Sequence, residues 1–398
     1  MVSARRRDGG EYQRNRIEAW RILSGGILGM MVAMGIGRFA YTPILPLMER
    51  DLGLSHAEVG SLASFNYLGY LLGAVACSFF PGLLRSMPVN IGALAASIAT
   101  TLFMGAATSP LWWGGLRFVA GVASAILFVV IAVEVTEALA RRGETRIGGA
   151  LYGGIGLGIA LSGLTVPRLD RLGGWEACWL GMGLIALVLS VIGLLLAQKK
   201  SATPPLDHIQ GPSTGGSHGI AQLALAYTCE GFGYIISATF LVAMVGRTPG
   251  IEQYASLSWV VVGLAAAPST ILWQQAARRI GVQRAAVIAY AIQAAGILLS
   301  IRAGTPVTAG LAAVCFGGTF LGIVTLVMSE GNRRAGENGR RVAAILTACF
   351  SIGQVIGPTL AGLVADRGGF AIPLLLAALS VCSGGLLIAT DRRFRQQP

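Results

Sequence analysis

The sequence has few charged residues for its length. Only 12% of its 398 residues are Asp, Glu, Lys or Arg, whereas soluble domains carry about 25%. Hydrophobic residues make up 54% of the chain, and its mean hydropathy is +0.68. This composition excludes a water-soluble domain and predicts an all-α integral membrane protein.

The sequence also lacks the motifs of several reaction classes. It contains no GxxxxGK[ST] phosphate loop, no HExxH motif and no CxxC pair. The glycine-rich run YGGIGLGIALSG lies inside an apolar segment without a preceding strand, which favours helix packing over nucleotide binding. We therefore expect no enzymatic activity, no cofactor and no metal site. The six cysteines lie in or beside apolar runs and are interpreted as small packing residues: Cys77, Cys178, Cys229, Cys315, Cys349 and Cys382.

Twelve apolar segments follow one another, each long enough to cross the bilayer as a helix. Residues 198–219 are rich in Pro, Gly and Ser, which is typical of a flexible linker. The sequence therefore predicts twelve transmembrane helices in two six-helix bundles, at 21–197 and 220–391, with cytoplasmic ends at 1–20 and 392–398. The approximate segments are 22–48, 57–80, 89–108, 111–136, 147–167, 175–197, 220–245, 253–275, 285–302, 306–329, 342–364 and 370–390.

The basic residues are distributed unevenly between the two sides of the membrane. Of the 30 Lys and Arg residues, 22 fall on the side of the N-terminus, six on the other side, and two, Arg38 and Arg117, inside apolar segments. The positive-inside rule then predicts that both termini are cytoplasmic in a bacterial inner membrane. The net charge of +12 has the same explanation, because no basic face with interleaved aromatics indicates nucleic-acid binding.

Short motifs recur in order at an offset near 195 residues. Three pairs fall in equivalent places of the two halves, which indicates an internal repeat and pseudo-symmetric bundles. The pairs are MGIGRFAY (from Met34) with EGFGYIIS (from Glu230), DRLGGW (from Asp170) with DRGGF (from Asp366), and EALARRGETRIGGAL (from Glu137) with EGNRRAGENGRRVAAIL (from Glu330).

Three stretches carry a family resemblance. GRFAYTPILPLM, SLASFNYLGYLLG and LRFVAGVASA resemble the YbfB/YjiJ-type subfamily of the major facilitator superfamily, and the resemblance extends over about 21–390. It implies two parallel-repeat bundles that rock about a central site. It also implies that Arg117, beside Gly121, resembles the arginine motif of the fourth helix and takes part in proton transfer. Without the resemblance, we would interpret Arg117 as structural.

Arg38 is the most unusual residue of the first segment. It lies three residues past the midpoint, where a charge costs at least about 2.5–3.5 kcal/mol on insertion scales. Pro43 and Pro46 follow it and are expected to kink the helix. Arg38 is therefore predicted to face a polar cavity and bind an anionic group, or to move with a proton-linked acid. The alternative is a structural arginine that ties helix ends together.

Glu230 lies near the middle of the seventh segment, flanked by Gly231 and Gly233. A carboxyl group at this depth suits proton coupling or substrate binding. The alternative is a fixed ion pair with Arg38 or Arg117.

Other polar residues complete the candidate site. Tyr41, Asn66, Tyr67 and Tyr234 have polar tips on apolar helices and are expected to line the cavity, although each could instead be a packing residue. Glu134, Glu137 and Glu330 are predicted to form salt bridges at the cytoplasmic gate, the alternative being solvated helix ends.

Together these features predict a secondary active transporter that moves a small organic solute, favoured as anionic, by alternating access. The expected partners are that solute, protons and the lipid bilayer, and the expected state is a monomer. A uniporter or a sodium-linked carrier remains an alternative, as does a membrane scaffold without transport activity.

Overall fold

The computed structural model describes residues 2–80, 82–197, 220–335 and 339–395, so the predicted linker at 198–219 lies outside the described residues. All regular structure in these ranges is helical. Eleven helical elements are long and apolar enough to cross a membrane. They are Gln13–Leu52, His56–Phe79, Met87–Ala106, Pro110–Arg141, Thr145–Ala197, Ile220–Gly246, Glu252–Ile280, Val282–Ile301, Pro306–Ala335, Arg341–Gly368 and Ala371–Thr390.

The element Thr145–Ala197 contains two spans. Its 53 residues would extend about 80 Å as one helix, more than twice the hydrocarbon core of about 30 Å. The helix breaks at Gly174, where φ is +67°, a conformation that glycine adopts without steric cost. The hydroxyl of Thr165 lies 3.2 Å from the sulfur of Met182, so the two parts run back along each other. The described chain therefore crosses twelve times, as predicted, and the spans are numbered first to twelfth below.

The first span is interrupted in its middle. The helix Val2–Met30 widens into a π-helix at Met31–Ile36, a turn follows at 37–40, and a second helix covers Tyr41–Leu52. Pro43 lies in the first turn of this second helix, where a missing amide donor is tolerated. The predicted discontinuity thus lies before the prolines. The equivalent seventh span, Ile220–Gly246, contains no proline and is one continuous helix.

Glycines allow close packing where the predicted halves meet. The second span packs on the eleventh and the fifth on the eighth. A Cβ atom on Gly263 would lie 2.3 Å from the backbone nitrogen of Ala160, and one on Gly60 would lie 2.3 Å from the carbonyl oxygen of Pro358. The glycine-rich run of the fifth span is therefore a packing surface, as its sequence indicated.

The repeat is visible in the packing inside each half. A Cβ atom on Gly158 of the fifth span would lie 2.7 Å from the Cα of Gly35 in the first span. In the second half, a Cβ atom on Gly353 of the eleventh span would lie 2.5 Å from the backbone nitrogen of Phe232 in the seventh. Equivalent glycines thus pack equivalent pairs of helices.

Candidate functional site

The break in the first span positions Arg38. Its side chain is 2% exposed, and its guanidinium carbon lies 4.6 Å from the ring centre of Tyr67 and 4.4 Å from that of Tyr70. Atoms Nε and Nη2 have no hydrogen-bond partner in the described part of the chain. A buried guanidinium held by aromatic faces, with two free donors, is arranged to receive an anion.

Arg117 has a different environment, although it lies close by. Its Nη1 and Nη2 donate to the carbonyl oxygens of Gly37 and Arg38, each at 3.4 Å, in the turn that interrupts the first span. Its guanidinium carbon lies 4.6 Å from the ring centre of Tyr41. The amide of Asn66 donates to the Arg117 carbonyl at 2.9 Å. Arg117 therefore supports the broken backbone, and among the described residues only its Nε lacks a partner.

Aromatic side chains of both halves meet beside Arg38. The ring of Phe39 lies 6.4 Å from that of Trp259 in the eighth span and 6.4 Å from that of Phe320 in the tenth. Tyr234 of the seventh span stacks on Phe320 at 5.7 Å with an interplanar angle of 4°. The indole Nε1 of Trp259, which is 1% exposed, has no partner in the described structure. A charged group, flat apolar surfaces and a free N–H donor thus lie at one junction.

Tyr41 and Tyr234, both predicted to line the cavity, make different contacts. The hydroxyl of Tyr41 donates to the carbonyl of Val59 at 2.8 Å, and its ring stacks on Trp179. The hydroxyl of Tyr234 accepts a hydrogen bond from the amide of Gln354, whose Oε1 has no partner among the described residues. Tyr41 is thus held within the first half, whereas Tyr234 belongs to the aromatic junction.

Glu230 lies inside the second half and is fully buried. Its Oε1 accepts a hydrogen bond of 2.7 Å from Nε2 of Gln293 in the ninth span, and the Oε1 of Gln293 accepts one of 3.0 Å from Thr319 in the tenth. Oε2 of Glu230 has no partner in the described ranges. No ion pair joins Glu230 to Arg38 or Arg117 among the described residues, so the alternative of a fixed pair receives no support.

Two of the three acidic residues predicted at the cytoplasmic gate form ion pairs within their own halves. Glu137 pairs with Arg141 at 3.5 Å, and the buried Glu330 pairs with Arg333 and Arg334, each at 2.6 Å. Glu134 is exposed in the last turns of the fourth span. The gating role of these three residues stays a prediction.

A family model described as "Uncharacterised MFS-type transporter YbfB" matches residues 30–389. The chain belongs to this family. It is similar to the gentisate transporter of Corynebacterium glutamicum, with 25% identity over 357 residues that cover 83% of this chain and 78% of the relative. Its fold is similar to that in the crystal structure of a mutant of the nucleoside transporter NupG, with a TM-score of 0.68, 14% identity and coverage of 94% and 99% of the two chains.

The family and the fold agree with the prediction from sequence. The protein is a multi-pass membrane transporter of the major facilitator superfamily that carries a solute, and it is not an enzyme. The similarity to NupG extends over nearly the whole of both chains. The predicted helical fold of this chain and its predicted resemblance to YbfB-type transporters are therefore confirmed.

Sequence reasoning missed one polar cluster of this transporter. This cluster consists of Glu49, His56, Arg247 and Asp366, at the ends of the first, second, seventh and eleventh spans. We call it the outer cluster because the orientation predicted from the basic residues would place it on the outer side. Nη2 of Arg247 donates to Oε2 of Glu49 at 2.9 Å, so an ion pair joins the two halves. The repeated Asp-Arg motif marked Asp366, but no local pattern indicated that these four residues lie together.

Proposed function

We propose that this transporter moves a small organic anion, an aromatic carboxylate, across the bacterial inner membrane by alternating access coupled to protons. The observation that carries the proposal is the guanidinium of Arg38, which is buried between tyrosine faces with two unpartnered nitrogens. Leaving a buried charged donor unsatisfied costs at least about 1–3 kcal/mol. A substrate carboxylate removes that cost through charge-assisted hydrogen bonds with bidentate geometry.

The surroundings of Arg38 favour a substrate with a flat ring. Phe39, Trp259 and Phe320 present apolar aromatic surfaces from both halves, and offset or edge contacts between aromatic rings contribute about 0.5–1.5 kcal/mol beyond burial. The unpartnered indole N–H of Trp259 can donate to a ring hydroxyl. Gentisate, the substrate named for the Corynebacterium glutamicum relative, combines a carboxylate, a ring and hydroxyl groups.

Glu230 is the proposed proton carrier. It is fully buried on a membrane helix, one oxygen is held by Gln293 and the other is free. A carboxyl group in this position is uncharged when it is protonated. When it loses the proton it becomes a charged carboxylate and a strong hydrogen-bond acceptor, so the two states prefer different surroundings. That difference is what a proton-coupled conformational change requires.

The relation between the halves supports alternating access. Two repeats that meet along the second and eleventh spans and along the fifth and eighth can rock about a site between them. The excess of basic residues on one side supports cytoplasmic termini. A monomer suffices, because one chain contributes residues of both halves to the aromatic junction.

The test is transport by purified protein in proteoliposomes, with gentisate and benzoate as probes. An imposed proton gradient should drive accumulation, and an imposed sodium gradient should not. Glu230→Gln should abolish accumulation driven by the pH gradient but retain counterflow exchange, because the substituted amide cannot release a proton. Glu176→Gln, at an exposed carboxyl group, is the matched control and should behave as wild type.

Several outcomes would refute parts of this proposal. Accumulation that survives Glu230→Gln would remove Glu230 from the coupling mechanism. Flux that ignores the proton gradient but follows sodium, or follows neither gradient, would favour the sodium-linked carrier or the uniporter. Transport of neutral solutes only, with no competition by either carboxylate, would refute the anion site at Arg38.

A further inference from the structure

Three residues of the outer cluster, Glu49, His56 and Arg247, form a closed ring of hydrogen bonds across the two halves. Nδ1 of His56 lies 2.6 Å from Oε1 of Glu49, Nε2 of His56 contacts Nη1 of Arg247, and Nη2 of Arg247 donates to Oε2 of Glu49 at 2.9 Å. Glu49 and His56 belong to the first half, and Arg247 belongs to the second. The side chain of Glu49 is 2% exposed, that of His56 14% and that of Arg247 48%.

The contacts of the ring match those of a neutral histidine. A guanidinium has only donors, so Nε2 of His56 must accept the hydrogen bond from Arg247. Nδ1 then carries the single ring proton and donates it to Glu49. The neutral ring therefore satisfies all three hydrogen bonds of the closed cluster.

We propose that protonation of His56 from the outer aqueous phase breaks the link between His56 and Arg247 and opens the outer end of the transporter. A proton on Nε2 converts the acceptor into a donor that points at another donor, and it places two positive groups in contact. His56 keeps its bond to Glu49, which lies in the same half. Arg247 is the more exposed partner, and its ion pair with Glu49 also has to break. The positive imidazole, which stays bonded to Glu49, then neutralises that carboxylate in place of Arg247, so Arg247 is the group released.

The other groups around His56 do not depend on the protonation of its ring. Asp366 of the eleventh span accepts from the backbone N–H groups of His56 and Ala57, at 2.8 and 3.1 Å, and does not contact the imidazole. The rings of Phe240 and Phe370 pack on the imidazole and do not titrate. Among the described residues, the charged groups in contact with His56 from the elements packed against it are Glu49, Arg247 and, at its backbone N–H, Asp366.

Arg247 has space to move after its release. A cavity of about 230 Å³ lies beside it, bordered by Met244, Thr248 and Phe370. The guanidinium already lies 6.0 Å from the ring centre of Phe370. A reorientation of one side chain therefore removes a charged link between the halves without disturbing either helix bundle.

The consequence for transport goes beyond the proposed function. The outer phase is the acidic side of an energised bacterial membrane, so the outer cluster opens the outer end where protons are abundant. His56 then controls access, whereas Glu230 is the proposed carrier of the coupled proton. The placement of the cluster on the outer side depends on the orientation that the basic residues predict.

The experiment measures opening directly and needs no substrate. Spin labels at Thr108 and Val307, exposed positions at the outer end of each half, report the distance between the halves in lipid nanodiscs, in a background without the six native cysteines. Histidine ordinarily changes its charge between about pH 5 and 8. Between about pH 8 and about pH 5.5 we expect the open-to-closed ratio to rise at least about tenfold, because uptake of one proton on opening changes this ratio by up to about tenfold for each pH unit.

Two variants isolate the histidine. In His56→Gln, the amide can donate to Glu49 and accept from Arg247, so the distance should stay short at both pH values. Arg247→Gln removes the positive partner of His56. The glutamine amide can donate to the neutral imidazole or accept from the protonated one, so this variant should also lose the pH response. Asp170→Asn, at a carboxylate paired with Arg50 at the same end of the first half, is the control and should respond as wild type.

The outcomes separate this proposal from the proposed function. A wild-type protein that stays closed at low pH would refute it. Opening of His56→Gln at low pH would also refute it, because the proton would then act on another group. If His56→Gln fails to fold, Arg247→Gln decides the question. Since no substrate is present, neither the substrate class nor the role of Glu230 affects the result.

Discussion

The substitution Arg38→Met separates an anion-binding arginine from a structural one. Methionine has a long, flexible apolar side chain without charge. Hydrogen bonds to charged groups contribute about 1.5–3 kcal/mol each, and two nitrogens of Arg38 are free. Loss of a bidentate carboxylate contact should therefore weaken binding by at least about 3 kcal/mol, which is roughly 100-fold in the dissociation constant.

The same substitution should leave the substrate-free protein as stable as wild type, or more stable. The Arg38 side chain is 2% exposed, and unsatisfied buried donors cost about 1–3 kcal/mol. The two tyrosine faces return about 0.5–2 kcal/mol each through cation–π contacts. These contributions nearly cancel, and methionine avoids the desolvation of the charge. A residue kept for binding at the expense of stability is common at functional sites.

The assay combines binding and thermal unfolding of purified protein, with the aromatic carboxylate that wild type binds most tightly among benzoate, gentisate and related acids. Arg171→Met, at an exposed arginine outside the aromatic junction, is the control for the loss of one positive charge. Undiminished affinity in Arg38→Met would refute the reasoning. A large fall in the melting temperature of the substrate-free variant would instead identify Arg38 as a structural residue.

Two further predictions concern the backbone at the break and the contact between the halves. Arg117→Met removes two hydrogen bonds to the carbonyls of residues 37 and 38, so thermal unfolding should show a loss of about 2–4 kcal/mol; an unchanged melting temperature would contradict its supporting role. Gly263→Ala places a Cβ atom 2.3 Å from the nitrogen of Ala160, which should cost about 1–3 kcal/mol by overpacking and slow transport without preventing membrane insertion. Gly318→Ala, which meets no atom within 4 Å, should transport normally, and equal rates in both variants would contradict the close contact.

The membrane spans could be predicted from local sequence because each helix must satisfy its own backbone in the bilayer. Even the pair of spans within Thr145–Ala197 was predicted separately, since the polar residues near Gly174 interrupt the apolar run. Arg38 could be singled out for the same reason: a charge inside an apolar run is a local signal. The break in the first span lies before the prolines that predicted it. Its position depends on the hydrogen bonds that Arg117 donates to the carbonyls of residues 37 and 38, which the local sequence does not reveal.

The partners of the candidate residues could not be predicted from sequence. Arg38 and Arg117 have similar local signals, yet only the structure shows that Arg117 supports the backbone while Arg38 keeps two free nitrogens. The sequence left open an ion pair of Glu230 with Arg38 or Arg117, whereas in the structure Glu230 contacts Gln293, 63 positions away. These differences depend on the rotation of each helix about its axis. A membrane helix that is apolar on nearly all sides does not indicate from its sequence which face points to the other helices.

The sequence by itself determined the number of crossings, the twofold repeat, the charge asymmetry between the two sides and the presence of a buried cation in the first span. Hydropathy and charge are properties of single segments, and the bilayer acts on each segment separately. Only the tertiary structure decided which polar groups meet. Arg247 reaches His56 across 191 positions and Glu49 across 198, and such contacts form because two bundles pack against each other, which no single segment encodes.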